Sequence, residues 1–286
     1  MSSVELETAK NLARLRDLCA GDGERLDLLE AALALSVLRN GDALDLPPLR
    51  QHVAAMSAGV TDLVRRRGAT PESLAEVIAR SYAYRGDSET YDDLQNADLA
   101  RVIERRKGLP VALSILYLHV ARAQGWHAEG LGFPGHFLIR VEIDGARHVI
   151  DPFHDGCGRD AADLRELLRQ VLGPTAELKP EHFDPVFDRE VLLRLENNVR
   201  LRLVKREEWA GAAQSLDRML AISPDQPELL FEAGQLNARL DKRRAAIQAF
   251  ERFLLVVGAT PNRPGGDSEL RQRATALLQE LRRGLN

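Results

Sequence analysis

Residues 106–156 read RKGLPVALSILYLHVARAQGWHAEGLGFPGHFLIRVEIDGARHVIDPFHDG, and this stretch decides the fold. Gly108-Leu109-Pro110 opens the run VALSILYLHVA, apolar almost all round. Such a run predicts a helix buried on most sides, ending near Gly125. Residues 137–143 alternate in polarity and are rich in β-formers, which predicts a strand. Asp144-Gly145 is a two-residue hairpin signal, and residues 147–151 return as a second strand.

The turn sets the register. A two-residue loop pairs Ile143 with Ala146, Glu142 with Arg147, Val141 with His148 and, further out, Leu138 with Asp151. Opposed residues share a face, as do alternate residues along a strand. His136 and Asp151 therefore lie diagonally on one face, about 7–8 Å apart at the backbone. That spacing predicts an Asp–His hydrogen bond, which would hold the imidazole in one tautomer and raise its basicity. Glu142 and Arg147 form a sensible cross-strand ion pair in the same register.

Working outward, the chain is helical on both sides. Residues 5–38 predict two helices, the first with Leu12, Leu15 and Cys19 at helical spacing. A third follows Pro47-Pro48 and ends near Gly68; a fourth starts at Thr70-Pro71 and runs to about Ala83. Residues 86–96 form a polar loop, and a short helix spans about 97–106. Beyond the hairpin, residues 160–172 are a helix closed by Gly173-Pro174. Residues 174–188 are proline-rich and irregular, a domain boundary. From Arg189 the chain is helical again, with an internal period. Ala212, Leu216 and Leu220 align with Ala246, Phe250 and Leu254, offset by 34 in each case. Thirty-four is the tetratricopeptide period. Two repeats and a closing helix over residues 268–281, preceded by a loop over 261–266, fill the tail.

The chain has 286 residues, 44% hydrophobic and 29% charged, with formal net charge −4. That is enough chain for one large domain or two ordinary ones. The charge gives no reason to expect nucleic-acid binding. Two cysteines make no disulfide framework and suit a reducing compartment. The N-terminus carries acids without a long apolar run, and no stretch suits a membrane span; a cytoplasmic protein is expected.

The motifs Gly108-Leu109-Pro110, Gly135-His136-Phe137 and Val149-Ile150-Asp151-Pro152 resemble the three elements of the papain-like transglutaminase core. The chain is similar to the SirB family of bacterial transglutaminase-like, tetratricopeptide-repeat proteins, and a like module occurs in some eukaryotic F-box proteins. The resemblance covers most of the chain. It implies an α+β, mostly helical fold: a core over 97–160 with a small antiparallel sheet, N-terminal helices completing a domain over 1–185, and helical repeats over 186–286.

One departure from the family pattern carries the functional argument. In active members a cysteine begins the central helix, about fifteen residues before the glycine that closes it. Counting back from Gly125 lands on Pro110. Proline cannot attack a carbonyl, and it lacks the backbone N–H that commonly serves as an oxyanion donor. The thiolate–imidazolium mechanism is thus closed to this chain as it stands. Ser114, one helical turn further on, and Cys157, in the segment HDGCGRD, are the alternative nucleophiles. Packing inside a buried helix is the preferred account of Ser114, and a loop thiol away from a helix start lacks activation. His154, Asp155 and Cys157 match no standard metal-ligand spacing, so neither metal nor cofactor is expected.

The favoured expectation is an interaction or regulatory protein on a degenerate acyl-transfer fold. Its cleft at His136 and Asp151, lined by Pro110, Phe133, Gly135 and Phe137, would bind a peptide or small ligand. Its repeat tail would dock a protein partner. The alternative is a hydrolase or acyltransferase that pairs a His136–Asp151 dyad with Ser114 or Cys157. A purely structural core, with the tail as the only working surface, is the third.

Overall fold

The computed structural model describes residues 3–22, 25–41, 44–259 and 267–283. The chain divides into two compact units, Met1–Leu195 and Glu196–Asn286. The division falls inside a continuous helix, Asp188–Lys205, rather than in the proline-rich segment before it.

In the first unit, α1 (Ser3–Leu18), α2 (Leu28–Asn40) and α3 (Leu46–Arg67) form the helical wrapper. A single turn, α4 (Glu72–Ala75), runs straight into a π-helical segment, Glu76–Ser81, so the fourth expected helix is only partly α-helical. The expected polar loop holds more structure than its composition suggests. Strand β1 (Arg85–Gly86) pairs in parallel with β2 (Lys107–Gly108), and a 3-10 turn, Leu94–Ala97, leads into α5 (Leu99–Arg105).

The central helix is α6 (Pro110–Ala123). Pro110 occupies its first turn, where a missing N–H costs nothing. Its body is buried all round: Leu113, Ile115, Leu116, Tyr117 and Leu118 are fully enclosed. Burial of each large side chain contributes about 1.5–3 kcal/mol. The helix is therefore committed to the interior from every direction, with α2, α3 and α5 around it and strands on another side.

The sheet has five antiparallel strands in the order β6-β5-β4-β3-β7. They are β3 (His127–Leu131), β4 (Leu138–Ile143), β5 (Ala146–Asp151), β6 (Cys157–Arg159) and β7 (Pro185–Val186). The β4–β5 register matches the expectation, with Ile143 opposite Ala146, Glu142 opposite Arg147 and Val141 opposite His148. Arg147 and Glu142 approach to 3.6 Å. Two faces follow from the alternation. Ile139, Val141, Ile143 and Ile150 share one and are buried, and α6 packs along β3 and β4. Leu131, Leu138 and Val149 share the other, which packs under Leu164, Leu167 and Leu168 of α7 (Ala161–Leu172). Helix α7 starts with a reciprocal capping box between Asp160 and Asp163.

Three of the five strands were not foreseen. The residues of β3 include a glycine whose position admits no side chain, because Phe137 lies against Gly130. Strands β6 and β7 have only three and two residues, too short to show a period.

The helix α8 (Asp188–Lys205) is tied to the first unit at its start. Asp188 accepts two hydrogen bonds from the Arg122 guanidinium, at 2.7 and 2.8 Å, and one from the Leu26 N–H at 2.8 Å. In the second unit, α9 (Trp209–Ile222), α10 (Pro227–Arg239), α11 (Arg243–Ala259) and α12 (Asp267–Arg283) each pack against the next. Helices α9 and α11 begin at Trp209 and Arg243, the spacing that the repeat period requires. Leu230, Phe231, Phe250, Phe253 and Val257 build the repeat core. Gly234 lies against the Phe250 ring, with no room for a Cβ. The loop expected over residues 261–266 lies outside the described residues.

Candidate functional site

The site is assembled where α6 begins, β4 begins and β5 ends. Phe133-Pro134-Gly135-His136 is a tight turn, closed by the His136 N–H donating to the Phe133 carbonyl at 2.9 Å. Proline in the second position and a positive φ of 72° at Gly135 are the type II pattern. Val171 of α7 lies against Gly135 and leaves no space for a side chain there. The turn thus delivers His136, half-buried, to the start of β4.

Asp151 is 2% exposed at the end of β5. The sequence predicted that its carboxylate would hold His136; the structure corrects this. Oδ2 accepts from the Arg159 guanidinium, Nε at 3.2 Å and Nη2 at 2.8 Å, and from His154 Nδ1 at 2.7 Å. Oδ1 accepts from the backbone N–H groups of Phe153 and His154, at 3.1 and 3.3 Å. The unforeseen strand β6 is the reason. It sets Arg159 opposite Val149 and Cys157 opposite Asp151, so all four share one face, and a guanidinium arrives where the imidazole was expected. A charged, forked donor binds a buried carboxylate more strongly than one ring N–H. His136 remains within electrostatic range. Burial pushes its pKa below the ordinary value, Asp151 pulls it up, and His154 and Arg159 push it down again. A histidine so placed favours the neutral ring, a poor partner for a thiolate.

The other predicted residues are dispersed. Ser114 is fully buried, and its hydroxyl donates to the Pro110 carbonyl at 2.8 Å. That is the back-bonding of a helical serine. Cys157 lies on a strand rather than in a loop, half-buried. Burial pushes its thiol above the usual range; Arg159 opposes that and Asp151 adds to it. Phe133 and Phe137 are core residues, 2% and 7% exposed. Phe133 joins the cluster under α7, and Phe137 stacks beneath Arg194 at 5.6 Å. Of the expected lining, Pro110 and Gly135 are the two that are not buried.

Sequence reasoning missed His154 and Arg159 as the ligands of Asp151. The His154 signal was present: three residues after an aspartate in a tight turn, its ring folds back on the carboxylate. Arg159 carried no such signal, because its placement depends on strand pairing. Residues 154–158 also border a cavity of about 470 Å³, whose other wall is α4, the π-helical segment and β1. No group of three or more metal-ligating side chains occurs among the described residues, and no helix there is long and apolar enough to cross a membrane.

Comparison with known proteins agrees with this architecture. A family model described as "Transglutaminase-like superfamily" matches residues 48–197, and a tetratricopeptide-repeat model matches residues 199–279. A UPF0162 protein of Xylella fastidiosa is 34% identical over 188 residues, 65% of this chain and 67% of that protein. SirB1 of Salmonella typhimurium is 24% identical over 187 residues, 64% of this chain and 69% of its own length. F-box only protein 21 of Mus musculus is 33% identical over 181 residues, 59% of this chain but 27% of that protein.

Proposed function

The chain belongs to the transglutaminase-like superfamily, in a SirB-like branch that adds tetratricopeptide repeats, and from that membership we propose that it is a protein-interaction or regulatory module without thiol acyl transfer. One observation carries the reading: Pro110 stands in the first turn of α6, where the resemblance requires the cysteine. The substitution removes a nucleophile and an N–H together. The neighbouring groups do not compensate. Ser114 spends its hydroxyl on the Pro110 carbonyl, and Asp151 is held by Arg159 and His154. In this reading the surface around His136 and Gly135 binds a peptide or small ligand without turnover, and the repeats dock a protein partner in the cytoplasm.

The test is a turnover assay on peptide amide and ester substrates. No turnover by the native chain, and no labelling by thiol- or serine-directed probes, is the expected result. Turnover that His136→Ala abolishes would overturn the proposal. A second reading has one observation in its favour: His154, held by Asp151, and Cys157 border the same cavity. It makes Cys157 a relocated nucleophile, and it requires turnover that Cys157→Ser removes.

A further inference from the structure

The 470 Å³ cavity lies beside the segment 154–158, apart from the surface around Pro110 and His136. Its volume falls within the range of about 300–1,000 Å³ typical of small-molecule pockets. Arg80 and Arg85 line it, and neither guanidinium has an ion pair or side-chain hydrogen bond among the described residues. Glu72 and Asp155 line it too and are equally unpaired. In a chain where most arginines near an acid pair with it, four unpaired charges around one hollow set it apart. Between them, Ala75, Ala79 and Ala83 make a small-side-chain wall, and His154 and Cys157 stand on the other side.

The backbone around the hollow is held in uncommon conformations. The α4 turn passes into a π-helix that supplies Ala79 and Arg80, and π-turns inside helices occur frequently at functional sites. Ala83 adopts φ 59° and Asp155 φ 55°; the left-handed conformation costs an alanine about 1–2 kcal/mol, whereas aspartate reaches it more readily. Strain of this kind persists where the surroundings impose it. The β1–β2 pair and its bond to Phe153 fix the backbone that follows Ala83. Arg85 pairs with β2, and the next residue's N–H donates to the Phe153 carbonyl at 3.2 Å. A Cβ at Gly86 would meet Phe153 at 2.5 Å. The Arg85 backbone is therefore fixed at the cavity wall before any ligand arrives.

We propose that this cavity binds a short zwitterionic peptide, its carboxylate held by Arg80 and Arg85 and its ammonium by Glu72. The charge balance carries the choice. Two arginines against Glu72 and Asp155 leave no net positive field, which disfavours a phosphate dianion and suits a ligand carrying one charge of each sign. The spacing sets the length. Glu72 and Arg80 lie two turns apart along one helical segment, roughly 12 Å at 1.5 Å per residue. An extended peptide covers about 3.3–3.6 Å per residue, so three residues span the gap. The alanine wall accommodates small side chains.

Calorimetric titration of the full chain with trialanine, its N-acetyl form, its C-terminal amide and inorganic phosphate tests this. Trialanine binds, and blocking either end weakens it by roughly tenfold, the loss of one charge-assisted pair. The double variant Arg80→Gln/Arg85→Gln binds trialanine no better than the amide; Glu72→Gln binds it no better than the N-acetyl form. All three side chains are exposed, and unchanged thermal melts confirm folding. Equal binding of free and capped peptides, absence of binding by trialanine at millimolar concentration, or displacement of the peptide by phosphate would each overturn the assignment. The inference does not rest on loss of catalysis. Hydrolysis of trialanine during the titration would defeat the non-catalytic reading while the end-group dependence of binding still decided this one.

Discussion

Asp151 in the first unit and Glu196 in the second are both buried carboxylates that accept hydrogen bonds from an arginine, yet their surroundings differ. Glu196 is fully enclosed, and its Oε1 accepts from the Ser215 hydroxyl at 2.7 Å and from Arg218 Nε at 2.8 Å. Ser215 and Arg218 are themselves buried. Asp151 is as deeply enclosed, but one of its partners, His154, has a side chain 51% exposed and borders a cavity. Burial, charge and an arginine are common to both. What distinguishes a site from a strut is a partner that carries the buried charge's influence outward.

That contrast orders the effects of breaking each element. Glu196→Ala leaves Arg218 buried without this acid. We expect a loss of about 3–5 kcal/mol in urea denaturation, the largest effect here. A loss below 1 kcal/mol would mean that Glu196 is no strut. Asp151→Asn keeps the shape and an oxygen for the two backbone N–H groups, but it removes the charge and turns an amide NH2 toward the Arg159 and His154 donors in place of Oδ2. The expected cost is smaller, about 2–3 kcal/mol. Equal costs for the two variants would erase the distinction.

A third buried acid sharpens the comparison through pH. Burial raises the Asp87 carboxyl, but hydrogen bonds from the Thr90 hydroxyl and N–H, with Lys107 and Asn96, outweigh it and hold the pKa at about 2. A depressed acid stabilises the fold above its unfolded pKa and loses that contribution as pH falls through the folded value. The native chain should lose up to about 2 kcal/mol between roughly pH 4 and pH 2 from this group. Asp87→Asn should flatten that part of the stability–pH curve; an unaltered slope would reject the assignment. The smallest effect is at the exposed end. His154→Ala should cost under about 1 kcal/mol, because a half-exposed partner is screened by solvent. A larger loss would make His154 part of the scaffold.

Legibility in the sequence followed the range of the forces involved. The two-residue turn at Asp144-Gly145 imposes its register on the flanking residues, so Glu142 opposite Arg147 and Val141 opposite His148 were placed correctly. The all-round apolar run of α6 could only be buried, and the 34-residue offset marked the repeats because each helix pair packs on its sequence neighbour. His136 was placed on the right face, yet its predicted bond to Asp151 was not formed. Phe133 and Phe137, expected to line a cleft, are interior, because Gly130 and α7 leave room for rings that composition alone does not reveal. Cys157, read as a loop residue, is in an edge strand of three residues, too short to show a period.

By itself the sequence determined the helices, the central hairpin with its register, the repeat period and the proline at the start of α6. Each depends on residues within a turn or two of one another, or on a repeat that copies itself. Tertiary structure decided that Arg159 holds Asp151 and what surrounds the cavity. A buried carboxylate goes to the strongest donor within reach. Arg159 is within reach because β6 pairs with β5, and Arg85 borders the same cavity as His154 because β1 is anchored to Phe153. The two walls of the cavity come from segments some seventy residues apart, where no local preference operates, whereas Arg159 lies eight residues from Asp151 and reaches it through the short-range β5–β6 pairing.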